Sequence, residues 1–390
     1  MRKILIFIWL FNIPLALFPQ QVNFSDSLDF WVLTVSPGTE LYSVFGHSAI
    51  RLVDNKNGYD VVFNYGTFDF QTKGFYFKFA LGQLDYRLSV ESFDDFIQMC
   101  QYENRTVVAQ QLNLSLEQKR SLLLALLENY KPENRYYHYK FFRDNCATRI
   151  RDILSQHLSG VQWCGLVQVG AQETFRQLYR PYLKHMPWTL VGIEFLMGPM
   201  ADRPSDYDVM FLPDKLMQAL TLARLGNNAL VAKEEVLFKA APYPYSASFF
   251  SPMLLAIVLI VLAILVQFHP KSKCIFDKIL FTVLGGLGCF ILVLSLVSAH
   301  KELHFNTAAL LFFPLLVVWP WVKNETSRQI LIVGALTIVA IVLLISLFLP
   351  QHFNAPIYLL VLTLIIRLIG NMWDVCRGKG KMNVFLQKFF

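Results

Sequence analysis

The stretch YYHYKFFRDNCATRIRDIL, residues 136–154, decides the fold of the globular part of the chain. Its first half is rich in aromatic residues, which favour a β-strand. Asp144 and Asn145 follow, and both residue types commonly cap the beginning of a helix. After Cys146, apolar residues recur at the spacing of one helix face, namely Ile150, Ile153, Leu154 and Leu158. The stretch predicts a strand followed by a helix, with Cys146 in the first helical turn.

A cysteine in the first turn of a helix is a candidate nucleophile. Free backbone N–H groups and the helix dipole stabilise a thiolate there and lower the pKa of the thiol. Taken alone, the segment is equally compatible with Cys146 as a buried structural cysteine.

A second segment, FGHSAIRLV at residues 45–53, lies between two further strand patterns. The run DFWVLTV (29–35) precedes it, and the turn residues DNKNG (54–58) lead into a returning strand at 60–66. These patterns predict a β-hairpin with His47 roughly opposite Asn64 or Tyr65. A histidine on a strand is more often structural than catalytic, so His47 becomes a candidate base only in combination with Cys146.

A histidine on a core strand together with a cysteine at a helix N-terminus is the papain-like arrangement. Papain-like enzymes place the cysteine helix before the histidine strand, and this chain has the reverse order, as circularly permuted members do. The predicted fold class is therefore α+β. It comprises a circularly permuted papain-like extracytoplasmic domain followed by an α-helical transmembrane bundle of four to five spans.

Composition supports the membrane part of this prediction. Of the 390 residues, 55% are hydrophobic and 16% are charged, whereas about a quarter are charged in soluble chains. The net charge of +7 forms no continuous basic stripe, so no nucleic-acid partner is expected. The predicted domains are an export signal or N-terminal anchor (1–21), the extracytoplasmic domain (22–245), the transmembrane helices (246–376) and a basic cytoplasmic tail (377–390).

Positive charge in the loops predicts the topology. Apolar runs indicate spans near 249–268, 279–298, 307–321, 330–349 and 357–373. The first and third loops and the tail carry most of the Lys and Arg residues, which places them in the cytoplasm. Residues 22–245 are then outside, in agreement with an export signal. The outer cysteines are Cys100, Cys146 and Cys164, and a Cys100–Cys164 disulfide would leave Cys146 free.

Several motifs together resemble the Lnb N-terminal periplasmic domain family of bacterial proteins. They are SPG (36–38), FGHS (45–48), FNYGTFD (63–69), DNCATR (144–149), MFLPD (210–214) and the loop SAHKELHFN (298–306). The resemblance implies an enzyme of the cytoplasmic (inner) membrane that N-acylates the lipidated cysteine of lipoproteins. Cys146 would be its nucleophile and His47 its base. The acyl donor would be the lipoprotein's own glyceryl ester or a phospholipid, and no cofactor or metal ion is implied.

The remaining site predictions concern polar residues around this pair. Asn64 is the candidate to orient the His47 ring, with Asp69 as the second choice. Asn145 is expected to cap the helix or to support an oxyanion site. His300, His304 and Asn306 are either membrane-side substrate contacts or solvated span ends. The aromatic run FYFKF (75–79) predicts a core strand or a lip that dips into the membrane interface.

Two other functions remain open from the sequence. A membrane-anchored cell-wall amidase or peptidase would use the same pair but needs only one anchor. A non-catalytic module that binds lipids or a partner would keep Cys146 buried or distant from His47.

Overall fold

The computed structural model describes residues 27–242 and 249–378. The predicted export signal or anchor (1–21), the predicted domain boundary at 245 and the tail beyond 378 lie outside these residues. Residues 27–242 are called the globular domain below, and the helices from Pro252 onward form the helical region. The structure is α+β, as predicted.

Within the described part of the chain, seven strands form one antiparallel sheet in the order β10-β5-β1-β2-β3-β4-β6. Three short strands form a second sheet in the order β7-β8-β9. The strands are β1 (Leu28–Val35), β2 (His47–Asp54), β3 (Tyr59–Thr67), β4 (Asp85–Ser92), β5 (Val107–Leu112), β6 (Tyr136–His138), β7 (Val161–Gln162), β8 (Arg224–Leu225), β9 (Asn228–Ala229) and β10 (Val231–Phe238).

The helices of the globular domain cover both faces of the large sheet. They are α1 (Phe75–Leu81), α2 (Phe93–Tyr102), α3 (Leu116–Tyr130), α4 (Cys146–His157), α5 (Leu166–Val169), α6 (Phe175–Tyr179), α7 (Pro187–Leu196) and α8 (Pro213–Leu222). Three 3₁₀ turns accompany them at Arg180–Leu183, Pro199–Asp202 and Asp206–Phe211. The run at 75–79 is thus helical, and the predicted core strand there is wrong.

Alternation along β1 shows how the sheet separates two apolar cores. Phe30 and Val32 point to the face covered by α4, where Ile150 packs. Leu33 and Val35 point to the opposite face, where α2 packs. Side chains alternate between the faces of a strand, so a strand buried on both sides reads as the continuous apolar run seen in the sequence.

Four helical segments of the helical region are long and apolar enough to cross a membrane: Pro270–Val297, Lys301–Trp321, Glu325–Ser346 and Ala355–Trp373. A fifth apolar segment, Pro252–Phe268, is shorter. The elements are α9 (Pro252–Leu265), α10 (Pro270–Val297), α11 (Ala308–Leu311), α12 (Glu325–Ser346) and α13 (Ala355–Gly378), with 3₁₀ turns at Val266–Phe268, Lys301–Leu303 and Pro314–Trp321.

The beginning of α10 differs from the prediction. The lysines at 271, 273 and 278 were expected in a loop, but the helix begins at Pro270. Proline is favoured in the first turn of a helix because its missing N–H is not needed there. Within the added turns, Asp277 is buried against Arg367 of α13. The helix therefore includes the charged residues between 270 and 278, which the hydropathy pattern had left out of the predicted span.

The loop from Ser298 to Asn306 joins the helical region to the globular domain. Glu302 is 2% exposed, and its Oε1 accepts a hydrogen bond of 2.8 Å from Arg143 Nε. Its backbone carbonyl accepts one of 2.7 Å from the N–H of Gly198. In the next loop on this side, Gln351 Nε2 donates to the Met197 carbonyl over 2.9 Å. Both loops predicted to lie outside therefore contact the globular domain, in agreement with the predicted topology.

The possible disulfide between Cys100 and Cys164 is absent, because both thiols are free. Cys100 lies on α2 and is buried in the core on one face of the sheet. Cys164 follows β7, and its neighbour Trp163 bonds to Ser155 of α4 on the other face. The sheet thus separates the two side chains.

The buried ion pair in the helical region generates a stability prediction. Arg367 and Asp277 are 0% and 1% exposed, and two hydrogen bonds of 2.7 and 3.1 Å join them. Arg367→Leu leaves the carboxylate without its cation and should cost about 3–5 kcal/mol. Thermal unfolding of the detergent-solubilised protein measures this loss. The double variant Arg367→Leu/Asp277→Leu should recover most of it, and a double variant as unstable as the single one would contradict the assignment.

Candidate active site

Cys146 is the first residue of α4, and Asn145 is the N-cap of that helix. The Asn145 Oδ1 accepts a hydrogen bond of 2.9 Å from the N–H of Thr148. In return, the Thr148 hydroxyl accepts one of 2.8 Å from the N–H of Asn145. This reciprocal capping box fixes the first turn and holds the half-buried thiol at the positive end of the helix dipole.

Asn145 is fully engaged in this capping role. Its two amide hydrogens are donated to the carbonyls of Phe141 and Phe211, over 2.7 and 2.8 Å. An amide nitrogen has two hydrogens to donate, so neither is free for an oxyanion. Of the two predicted roles, the structure shows helix capping.

His47 is the first residue of β2, and its ring lies between Asn64 and Cys146. The ring Nε2 is 2.6 Å from Asn64 Oδ1. A hydrogen bond with Cys146 is among the causes of the shifted pKa of His47. Because Nε2 faces Asn64, Nδ1 is the ring nitrogen left to interact with the thiol. The geometry thus fits a neutral ring that carries its proton on Nε2 and accepts the thiol proton at Nδ1.

The two groups shift each other's pKa in opposite directions. Burial lowers the pKa of His47, but the charge of Cys146 and the hydrogen bonds to Cys146 and Asn64 outweigh it, so the net pKa is raised. Burial raises the pKa of Cys146, but the charge and hydrogen bond of His47 outweigh it and lower the pKa. Backbone N–H groups of Ser48 and Ala147 lower it further. The pair therefore favours a thiolate beside an imidazolium.

Asn64 is itself held by Glu91, a residue that the sequence reasoning missed. The Asn64 Nδ2 donates a hydrogen bond of 2.8 Å to Glu91 Oε1, which turns Oδ1 towards His47. Burial raises the pKa of Glu91, and Asn64 and His47 act against that rise. Asp69, the second choice for orienting His47, is exposed and accepts from the N–H of Gln71 in a turn. The predicted orienting position is thus occupied by Asn64.

An aromatic series leads from the thiol towards the helical region. The side chains of Tyr86 and Tyr139 stack at 4.2 Å between ring centroids. Burial raises the pKa of both phenols, and the charge of Cys146 adds to the rise, so both rings are within electrostatic range of the thiol. Tyr139 stacks in turn on Phe79 of α1, at 5.8 Å, and Phe79 lies against His300.

The three loop residues predicted as substrate contacts bind backbone groups. His300 donates from Nε2 to the Phe79 carbonyl over 2.9 Å, and burial lowers the pKa of this histidine, which keeps the ring neutral. His304 donates to the Ser298 carbonyl over 2.7 Å. Asn306 donates to the carbonyls of Phe195 and Leu196. These bonds are structural, and a contact with substrate stays a prediction.

No cluster of three or more His, Cys, Asp or Glu side chains that could hold a metal ion is found in residues 27–242 and 249–378. The chemistry that the arrangement can perform with its own side chains is nucleophilic attack by a thiolate, with an adjacent imidazole to carry protons.

Comparison with known families adds to this geometry. The model described as the Lnb N-terminal periplasmic domain matches residues 19–180, and the model described as the Lnb transmembrane domain matches residues 245–379. The chain belongs to the Lnb family. It is therefore a membrane protein with an extracytoplasmic domain, and residues 19–180 correspond to the periplasmic domain of the family. Comparisons with curated proteins and with solved structures gave no match.

The ion pair of this Lnb family member generates a prediction on thiol reactivity. Because the pKa of Cys146 is lowered, its alkylation by iodoacetamide should persist to lower pH than that of an ordinary thiol. His47→Ala removes the cation but leaves the Cys146 thiol buried, so the pKa of Cys146 should rise. Alkylation of Cys146 at neutral pH should then fall more than about tenfold, which is the effect of one pKa unit. Site-resolved mass spectrometry measures the rates. Cys164, half-buried like Cys146, should react equally in both proteins. An unchanged Cys146 profile in His47→Ala would contradict the pairing.

Proposed function

We propose that this protein is a membrane-bound thiol acyltransferase. It would move an acyl chain from a glyceryl ester, through a thioester on Cys146, to the N-terminal amine of a lipidated bacterial lipoprotein. The observation that carries the proposal is the Cys146–His47 pair, with Asn64 behind it, in a domain hydrogen-bonded to membrane-length helices. Papain-like thiol enzymes use the same set of three residue types. The proposal includes the cytoplasmic (inner) membrane as the location.

The reaction balances without any further reactant. The Cys146 thiolate attacks the ester carbonyl, and the tetrahedral intermediate collapses with cleavage of the bond to the glyceryl oxygen. The leaving alkoxide takes the proton of the His47 imidazolium. The free amine of the acceptor then attacks the thioester, and neutral His47 takes the amine proton. The sulfur leaves as thiolate, and the ion pair is restored.

The position of the nucleophile relative to the membrane supports this proposal. Arg143, three residues before Cys146, binds Glu302, the second residue of the membrane-length segment Lys301–Trp321. It also donates to Asp208 over 2.6 Å, and Asp208 accepts a further bond of 3.0 Å from Arg151 of α4. The beginning and the middle of α4 are thereby tied to the end of a span, where a lipid ester would be within reach.

The helix α1 supplies an apolar surface at the same place. All three of its last carbonyls are capped by the loop after α10. Ser298 Oγ donates to Ala80 over 2.7 Å, the N–H of Ala299 to Leu81 over 2.9 Å, and His300 to Phe79 over 2.9 Å. On this helix Tyr76 and Phe77 are 78% and 64% exposed, and Phe70 beside it is 55% exposed. Exposed aromatic residues at the end of a span are typical of a membrane interface.

Two observations weigh against the other functions. An amidase or peptidase for the cell wall needs a polar groove, whereas the stacked rings of Tyr86, Tyr139 and Phe79 lie on the side of Cys146 that faces the helical region. A non-catalytic module would leave the cysteine apart from His47, whereas the two side chains meet beside Gly66 and each shifts the pKa of the other. A phospholipid remains an alternative acyl donor to the lipoprotein's own ester, because both present the same glyceryl ester to the thiolate.

Removal of either member of the pair should abolish the reaction. We expect Cys146→Ala and His47→Ala each to lose N-acylation of a diacylated lipopeptide while still inserting into the membrane. Cys146→Ser should be severely impaired, since a hydroxyl is far less ionised than a thiol at the same helix N-terminus. Mass spectrometry of the lipopeptide should show an amide-linked chain on its N-terminal cysteine with the wild-type protein. Free fatty acid alone would indicate a lipase, and cleaved peptidoglycan with unchanged lipopeptide would indicate the amidase.

Contact of α1 with lipid can be measured separately. Phe77→Trp should add fluorescence that is quenched by vesicle lipids brominated on their acyl chains. Tyr102→Trp is the matched control, because Tyr102 is 89% exposed but lies on α2, on the opposite face of the sheet. Its added fluorescence should be unaffected. Equal quenching at both positions, or none at Phe77→Trp, would argue against an aromatic surface in the membrane interface.

A further inference from the structure

One buried hydroxyl beside the nucleophile has no partner. Tyr137 lies on β6 and is 8% exposed, and no described residue forms a hydrogen bond with its Oη. Leaving a buried polar group unpaired costs about 1–3 kcal/mol, so such groups are rare and call for an explanation. The explanation lies in the position of this hydroxyl, next to Cys146 and His47.

The hydroxyl borders a small open volume that also touches the catalytic pair. The volume lies over Gly66, whose φ of +95° is in the region that favours glycine. A Cβ at that position would be 3.6 Å from Cys146 Cβ, 3.7 Å from His47 Cε1 and 4.0 Å from Tyr137 Oη. The Cys146 side chain, the His47 ring and the Tyr137 hydroxyl thus surround one point beside Gly66. Glycine leaves unfilled the space between them into which a side chain at this position would point.

Several donors near the thiol are already in use. Both amide hydrogens of Asn145 bind backbone carbonyls. The N–H groups of Ser48 and Ala147 are directed to the sulfur, where they lower the pKa of Cys146. Thiolate attack on an ester also places negative charge on the carbonyl oxygen, and a donor aimed at that oxygen is usually a large part of catalysis. The Tyr137 hydroxyl is unengaged and borders the same volume.

The surroundings of Tyr137 favour a protonated, correctly placed donor. Burial raises the pKa of this phenol well above its ordinary value, so the hydroxyl keeps its proton at neutral pH. The Arg149 guanidinium lies 4.1 Å from the centre of the Tyr137 ring and is itself held by Asp144 Oδ2 over 3.0 Å. A cation over the ring face restrains the ring, and its positive charge favours negative charge developing nearby.

We propose that Tyr137 is a catalytic residue whose hydroxyl donates a hydrogen bond to the oxyanion of the tetrahedral intermediate. This inference rests on the proposed thiol acyl transfer. As the carbon–sulfur bond forms, the carbonyl π electrons move to the oxygen, and Tyr137 Oη–H binds that oxygen. When the intermediate collapses, the double bond re-forms and the glyceryl oxygen leaves with the His47 proton. Tyr137 keeps its own proton throughout.

The test compares two reactions of Cys146 in the full-length protein carrying Tyr137→Phe. Acylation by p-nitrophenyl octanoate passes through an oxyanion, and alkylation by iodoacetamide does not. We expect Tyr137→Phe to acylate about 10²-fold more slowly, the usual effect of losing one oxyanion donor, with the alkylation rate and its pH profile unchanged. Because an unpaired buried hydroxyl is unfavourable, its removal should not lower the temperature of thermal unfolding.

Tyr179→Phe is the matched control. Tyr179 is 0% exposed and its hydroxyl also lacks a partner among the described residues, but it lies among Arg176, Glu194 and Arg180. In the Tyr179→Phe variant, Cys146 should be acylated at the wild-type rate. An equal loss in both variants, or wild-type acylation by Tyr137→Phe, would overturn the proposal. A parallel fall in alkylation would also overturn it, because Tyr137 would then act on the thiolate and not on the oxyanion.

A diacylated lipopeptide in the same experiment separates this inference from the proposed function. Wild-type protein that forms the octanoyl thioester but leaves the lipopeptide unchanged would overturn lipoprotein acylation only, and the two nitrophenyl ester rates would still decide the role of Tyr137. Wild-type protein that forms no thioester with either reagent would overturn both proposals.

Discussion

The loop from Ser298 to Asn306 is the constraint on which the rest of the structure depends. Backbone groups at the end of a span need partners once water is excluded, and here the globular domain provides them. Glu302 is almost fully buried and accepts from Arg143 and from the N–H of Gly198. A buried carboxylate is stable only when it is paired, so this loop and the segment before Cys146 cannot separate without exposing or stranding a charge.

The same electrostatic rule governs the thiol itself. Burial opposes charge on Cys146 and on His47 separately, and the charge on each group favours the charge on the other. The direction of the imidazole is then decisive, since Nδ1 must face the sulfur for the pair to form. Asn64 fixes that direction from β3, and Glu91 fixes the amide of Asn64 from β4. Four residues on three strands and one helix thus act as a single hydrogen-bonded unit, and this explains why a half-buried thiol can be reactive.

Local patterns in the sequence predicted the parts of the site that depend on local structure. The hairpin of β2 and β3, the N-cap at Asn145 and the pairing of His47 with Asn64 follow from strand alternation and capping residues. Glu91 was beyond such reasoning because helix α1 and its loops separate β3 from β4 in the chain. The register that sets Glu91 opposite Val62, two residues from Asn64, is therefore not visible in local patterns. Tyr137 was one aromatic residue among several, and only its missing partner distinguishes it. The helix α1 was mistaken for a strand because its carbonyls are capped by a loop more than 200 positions away in the chain.

The connection between the loop and the thiol bears on why such a domain would be attached to many spans. A thioester next to bulk water is open to hydrolysis, so a transferase must hold its acyl group in a dry place until the amine arrives. A single flexible anchor would leave the orientation of the domain relative to the membrane free and would expose the thioester to water. Here α4 is fixed through Arg143 to the end of a span, and ring contacts run from Phe79 through Tyr139 to Tyr86. An acyl chain could follow these rings from the bilayer to Cys146 while remaining in contact with apolar groups. The rigid attachment would thus favour an amine over water as the acceptor, which is the physical difference between transfer and hydrolysis.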